Sequence, residues 1–80
     1  MWVYVLQSEY DGIHYVGHAE DISVRLKEHN RGKCRYTKGR IPWKVVHQEQ
    51  ATSRSEAMKR EKFLKSGAGR NFLKKVLLST

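Results

Sequence analysis

The sequence predicts a small mixed α/β (α+β) domain with the element order β-β-α-β-α-α, and three observations carry that prediction. Alternating apolar runs flank an Asp11-Gly12 pair near the N-terminus, as in a hairpin. Two helix starts carry capping side chains, Asp21 at one and Ser53 with Glu56 at the other. A β-branched stretch after Pro42 separates those two helices.

The first strand is Trp2-Val3-Tyr4-Val5-Leu6 and the second is His14-Tyr15-Val16-Gly17. A tight two-residue turn sets Tyr4 opposite Ala19 and Tyr15 opposite Ser8, so that Tyr4, Leu6, Tyr15 and Gly17 share one face. A longer loop shifted by one residue would part the two phenols. Asp21 then caps a helix running to about Arg31, where Gly32 supplies a left-handed stop. On that helix Ile22, Leu26 and His29 fall in one arc with Arg25 at its border, so Arg25 and His29 stand one turn apart beside the apolar stripe.

Gly32 to Pro42 is rich in Gly, Lys and Arg and reads as a mobile basic loop. Trp43 to Glu49 follows as a third strand. Ser53 opens a long helix whose apolar side is Ala57, Met58 and Leu64, with Glu61 at its centre, where an unpaired carboxylate is costly to bury. Phe63 falls outside that stripe and is placed against the last helix. Gly67 and Gly69 are expected to break the chain before a short terminal helix with Phe72, Leu73, Val76 and Leu77 on one side.

Eighty residues with 39% hydrophobic content allow one domain, 1–80, and a small core. No apolar run approaches the ~20 residues that span a bilayer, and the N-terminus lacks the pattern of a secretory signal. The expectation is a cytoplasmic protein with no membrane partner. The single Cys34 forms no internal disulfide and suits a reducing compartment.

Charge is distributed unevenly. Residues 1–24 hold no Lys or Arg and four acids, whereas residues 25–80 hold all 16 basic residues against four acids. So dense a basic expanse attracts a polyphosphate and points to salt-sensitive nucleic-acid binding, with Lys33, Arg35, Lys38 and Arg40 of the loop as the expected phosphate contacts. A solubilising surface would mix its signs more evenly.

With these elements in place, the chain resembles a single-domain GIY-YIG endonuclease of the small bacterial type, related to the N-terminal nuclease domain of the excision-repair nuclease. Trp2-Val3-Tyr4 stands at the first triplet and Tyr15-Val16-Gly17 at the second. Arg25 to Gly32 looks like the arginine helix and Ser55 to Lys62 like the glutamate helix. Trp2 replaces the glycine of the first triplet and leaves its tyrosine in place. The resemblance implies a three-stranded antiparallel sheet flanked by helices, and phosphodiester hydrolysis with one divalent metal, Mg²⁺ or Mn²⁺; DNA is the favoured nucleic acid, although no residue pattern here separates it from RNA. It further implies that Glu61 is the metal ligand, that Arg25 binds and polarises the scissile phosphate, and that Tyr4 and Tyr15 line the site. His29 matches a position where some relatives carry a histidine or tyrosine near the attacking water. Some relatives also carry an asparagine roughly a dozen residues after the glutamate, and here Asn71 comes ten after Glu61, which leaves its role open.

These residue types suit the chemistry. A phosphodiester resists hydroxide because it is anionic, so its hydrolysis needs equatorial charge neutralised, water activated and the departing alkoxide stabilised. Arg25 can neutralise charge bidentately, and a hard ion held by Glu61 needs few other protein ligands. Tyr4 and His29 compete for the role of base: a phenol titrates near ~10 and needs positive surroundings, whereas neutral imidazole needs no such shift. Taken singly, the same residues have plainer readings: Tyr4 and Tyr15 as half-buried strand aromatics, His29 as an amphipathic helix residue, Arg25 as a surface cation, Glu61 as the partner of Arg25 or Lys65. His14 and His18 share a strand face, but two ligands without partnered Cys or acids do not make a zinc site. Two other function classes stand beside the enzyme: a nucleic-acid-binding module that does not cut, and a nuclease subunit that takes its specificity from a protein partner.

Overall fold

The computed structural model describes residues 1–78. Strands β1 (Trp2–Ser8), β2 (His14–Ala19) and β3 (Trp43–Gln50) form one antiparallel sheet in the order β2-β1-β3. Helix α1 (Ile22–Asn30) follows the hairpin, and α2 (Arg54–Lys65) and α3 (Gly67–Leu78) follow β3. The order β-β-α-β-α-α and the three-stranded sheet are therefore as expected. No helix of the described residues is long and apolar enough to cross a membrane.

Alternation along β1 gives each face of the sheet its own core. Val3 and Val5 point one way, onto Val16, Ala57, Leu64 and Leu73 beneath α2 and α3. Tyr4 and Leu6 point the other way, with Trp43, Tyr15, Ile22 and Leu26 beneath α1. As the central strand, β1 is covered on both sides, which explains its nearly continuous apolar sequence. An irregularity in the β1–β3 pairing between Val5 and Leu6 adds one residue to β3, so Val45 packs on the α1 face and Val46 against the opposite core.

The hairpin register differs from the tight-turn expectation. Tyr4 lies opposite Gly17 and Tyr15 opposite Leu6. Ser8 N–H donates to the Ile13 carbonyl at 2.8 Å, leaving a wider loop over Glu9 to Gly12. Side chains organise that loop: Ser8 Oγ accepts from the Tyr10 and Asp11 N–H groups at 3.1 and 3.3 Å, and Asp11 Oδ1 accepts from Ile13 N–H at 3.1 Å. Because the shift is by two residues, Tyr4, Leu6, Tyr15 and Gly17 still share a face. Gly17 is required there, since a Cβ would lie 2.6 Å from the Tyr4 hydroxyl oxygen.

Both expected caps form. Asp21 accepts from Val24 N–H and Ser53 from Glu56 N–H, each at 3.2 Å, and Gly32 follows α1 with φ +78°. The stretch after α1, expected to be mobile, is tied down instead. Asn30 Oδ1 accepts from Trp43 N–H at 2.6 Å, Ser8 Oγ donates to the Arg40 carbonyl at 2.7 Å, and Trp43 Nε1–H donates to the Thr37 carbonyl at 2.9 Å. A single 3-10 turn, Lys38–Arg40, lies within it.

Two expectations for the C-terminal half need correction. Met58 is 54% exposed, because the buried stripe of α2 runs through Ala57 and Leu64 and leaves Met58 outside it. Gly67 and Gly69 do not precede the last helix but begin it, and the break falls at Ser66, whose hydroxyl accepts from Gly69 N–H. A Cβ on Gly69 would collide with the Phe63 carbonyl oxygen and the Leu64 Cα, so glycine here allows α3 to start hard against α2. Phe63 does meet α3, with its ring 6.5 Å from that of Phe72.

Candidate active site

The α1 face of the hairpin carries an aromatic cluster. The Tyr4 and Tyr15 rings lie 6.5 Å apart, and His29 sits 6.0 Å from the first and 5.1 Å from the second. Strand alternation supplies the two phenols, and the helical stripe of α1 turns His29 down onto them. His29 has 0% exposure, deeper than its place in an amphipathic helix suggested.

A buried hydrogen-bond chain runs through this cluster. Tyr4 Oη lies 3.0 Å from His29 Nε2, and His29 Nδ1 lies 2.7 Å from Thr37 Oγ1. One tautomer satisfies all these partners together. With the Thr37 hydroxyl proton directed at the Cys34 carbonyl, 3.4 Å away, Thr37 accepts from His29 Nδ1–H. Nε2 is then unprotonated and accepts from the Tyr4 hydroxyl. Burial, reinforced by the positive charge of Arg25, pushes the His29 pKa below its ordinary value and keeps the ring neutral.

Burial also pushes the Tyr4 hydroxyl up to about 12; Arg25 opposes that rise and Tyr15 adds to it. Arg25 thus lies beside the phenol, while its Nη1 donates to Glu28 Oε1 at 3.1 Å. Tyr15 is likewise raised, first by burial and then by Cys34, while Lys65 and Arg25 lower it and Glu61 raises it. Tyr15 therefore stands within the fields of both halves of the site, Arg25 on one side and the α2 charges on the other.

Glu61 does not touch the aromatic cluster. It is placed across the edge of β2, half-buried, with Oε1 2.6 Å from His18 Nδ1 and Oε2 accepting from Lys65 Nζ at 2.7 Å. Burial raises its pKa, but the bonds from Lys65 and His18 outweigh that effect and hold the carboxyl below its ordinary value. Of the partners expected for it, Lys65 is found and Arg25 is not. His14 and His18 are not a pair, since His18 serves Glu61. Among the described residues no three His, Cys, Asp or Glu side chains converge as a metal cage.

Lys33, Arg35, Lys38 and Arg40 are all exposed on the loop after α1. Arg40 is drawn aside, its Nε donating to Asp11 Oδ2 at 2.8 Å. Asn71 is exposed on α3.

Two residues at this site were not anticipated from the sequence. Thr37 falls in the stretch read as a basic loop, where nothing marks it, and His18 reads from the sequence only as half of an unconvincing zinc pair. For His18 a signal existed: alternation in β2 places it on the same face as Val16, toward α2.

The hairpin thus brings two phenols onto an imidazole beside an arginine, with a carboxylate across the strand edge. Comparison with known proteins gives the class: the GIY-YIG catalytic domain pattern matches residues 1–74, and the chain belongs to the GIY-YIG family. Its similarity runs to the UPF0213 proteins within that family. UPF0213 protein SERP0126 of Staphylococcus epidermidis is 41% identical over 76 residues, covering 94% of this chain and 92% of that one. UPF0213 protein SA0446 of Staphylococcus aureus is 42% identical over 66 residues, covering 81% and 79%. The solution NMR structure of UPF0213 protein BH0048 from Bacillus halodurans matches with a TM-score of 0.55 and 35% identity, over 94% of this chain and 82% of that one. Membership implies nuclease activity on nucleic acid.

Proposed function

We propose that this chain is a divalent-metal-dependent endonuclease that hydrolyses phosphodiester bonds of nucleic acid, with DNA as the favoured substrate. The observation that carries the proposal is the bond from the Tyr4 hydroxyl to a neutral, buried His29, with Arg25 beside the phenol.

In this reading Tyr4 and His29 are not rivals. Both ring nitrogens of His29 are already bonded, to Tyr4 and to Thr37, and Tyr4 alone is too weak an acid to ionise near neutral pH. Together they form a relay. As the Tyr4 proton passes to His29 Nε2, Arg25 favours the phenolate, and Tyr4 Oη takes a proton from the attacking water. Thr37 holds His29 in the tautomer that leaves Nε2 free to accept. Arg25 also binds the scissile phosphate, giving up its exposed pairing with Glu28. Tyr15 lines the cleft between Arg25 and Glu61.

The donor set fits a hard cation. Glu61 offers two carboxylate oxygens, both already held by cationic or polar N–H donors, and an ion that keeps several waters needs few protein ligands. When bound, Mg²⁺ or Mn²⁺ supplies charge neutralisation at the phosphate and at the departing oxygen. Lys65 and His18, which bond Glu61 here, would yield it to such an ion. Lys33, Arg35 and Lys38 contact the flanking phosphates.

The test is incubation of the purified protein with labelled single-stranded, duplex and branched DNA, and their RNA counterparts, with Mg²⁺ or Mn²⁺ and with EDTA. Internal cleavage of DNA that requires the ion is expected. Binding without cleavage under every condition would make the chain a non-cutting module, and cleavage that appears only with added cell extract would make it a subunit.

A further inference from the structure

An open groove of about 1300 Å³ runs from Tyr15 on the edge strand β2 across to α3. It meets the candidate active site at Tyr15, whose ring packs on Tyr4 and His29, while Tyr4, Arg25, His29 and Glu61 do not line it. Lys65, Arg70 and Lys74 line it, Leu73 contributes to an apolar floor, and none of the lining residues is a carboxylate. Arg70 and Lys74 stand one turn apart on α3 and set their charges in a row along the groove. Lys65 also bonds Glu61 at 2.7 Å beside the groove, and the row of Lys65, Arg70 and Lys74 is complementary to a phosphate backbone.

Tyr36 forms one wall. It is 79% exposed, yet its ring rests against Tyr15 at 5.9 Å with the planes inclined at 43°, so the ring is buttressed from one side and open on the rest. Each base inside a duplex is covered on both faces by its neighbours, so such a ring can take an unpaired base or a terminal pair but not an interior one. Aromatic faces interleaved with a cationic track are the arrangement that holds single strands.

We propose that this groove binds a single-stranded arm of the substrate, with an unpaired base stacked on Tyr36 and the adjoining phosphates on Lys65, Arg70 and Lys74. The proposal rests on the nuclease reading only in taking the bound strand to continue into the cleft at Tyr15. It names the substrate class of that site: nucleic acid with an unpaired segment beside the cleaved bond.

The experiment is fluorescence anisotropy in EDTA, where nothing turns over, with a short labelled oligodeoxythymidylate and a blunt duplex of the same length. Tyr36→Ala is expected to lower single-strand affinity about tenfold and duplex affinity less than about twofold, while Tyr36→Phe keeps both. The double change Arg70→Gln with Lys74→Gln is expected to reduce the single-strand salt slope by about 1.4, at ~0.7 per cation. Unchanged single-strand binding by Tyr36→Ala overturns the proposal, as does an equal loss on both forms, which would reassign Tyr36 to a duplex end. The readout is independent of catalysis: a protein that shows the expected pattern but never cuts with Mg²⁺ keeps this groove and loses the nuclease reading.

Discussion

Glu49 and Glu61 keep similar company, each bonded to one histidine and to one cation of α2, yet the two arrangements differ in what they allow. Glu49 receives Arg60 on both oxygens, Nε at 2.6 Å and Nη2 at 3.1 Å, with His47 at 2.8 Å. The Arg60 guanidinium is itself fixed 4.9 Å from the centres of the Phe63 and Phe72 rings. A planar fork lying against two aromatic rings has little freedom to leave. Glu61 is held by Lys65, a point charge on a flexible stem with half its side chain in solvent, and by a single His18 nitrogen. Both carboxyls are held below their ordinary pKa, Glu49 chiefly by Arg60, and Glu61 by Lys65 and His18 against the opposing effect of burial. A low pKa therefore does not separate a structural carboxylate from one available to an ion; the mobility of its partners does.

The largest expected effect comes from substituting the two carboxylates in parallel. Glu61→Gln keeps the shape but loses the charge, and we expect cleavage to fall about a thousandfold or more, the scale of the several kcal/mol that charge stabilisation supplies. Its urea midpoint should hardly move, because its partners reach solvent. Glu49→Gln should leave cleavage within about threefold of wild type and cost about 1–2 kcal/mol of stability, between the values for exposed and for buried pairs. Turnover and urea denaturation measured on both variants decide the matter. A Glu61→Gln protein that still cuts, or that unfolds, ends the metal-ligand role.

Arg25 belongs with Glu61 in this contrast, since its partner Glu28 is an exposed neighbour one turn away on the same helix. Arg25→Ala should lose about 10²–10³-fold in turnover, as for other donors to a developing negative charge, with the fold retained. Arg25→Lys should recover little, because a point charge cannot make the planar fork. Full activity in the lysine variant would exclude bidentate phosphate contact.

The contrast also shows where sequence reading succeeds. Period and capping revealed the elements, because Asp21, Ser53 and the two-residue alternation of β1 act within a few residues of themselves. The shared face of Tyr4 and Tyr15 was legible even though the turn was not, since a shift of two residues preserves faces. What escaped were partnerships closed by the tertiary fold. His18 meets Glu61 from 43 positions away, and Thr37 meets His29 across the turn that ends α1. No local period marks either pair, and a threonine among lysines and arginines reads as loop.

Thr37 and His29 yield a middle-sized effect. Thr37→Val keeps the shape but leaves Nδ1–H of a fully buried ring unpaired, at a cost of about 1–3 kcal/mol, and it frees the tautomer, so cleavage should fall with stability. The pH dependence has a definite sign. The folded pKa of His29 lies below 6.5, so the unfolded chain binds its proton first. Its contribution to stability is complete above about pH 6.5 and declines as pH falls toward the folded pKa. The acid limb of cleavage should lie in the same window, and His29→Ala should flatten it. An acid limb unmoved in that variant would leave Tyr4 to act without the relay.

The smallest effect tests whether the same distinction between held and available charges extends to the basic loop. Lys33, Arg35 and Lys38 are exposed, whereas Arg40 is bound to Asp11 across the hairpin turn. A cation that releases no counterion on binding contributes nothing to the salt slope, and Arg40 must first leave Asp11 to reach a phosphate. Replacing Lys38 with Gln should therefore lower the slope of log K against log salt by about 0.7–0.9, and Arg40→Gln should change it by much less. Anisotropy titrations over a range of salt concentrations measure both slopes on one labelled oligonucleotide. Equal reductions would show that Arg40 gives up Asp11 for the phosphate as readily as Lys65 is expected to give up Glu61 for an ion.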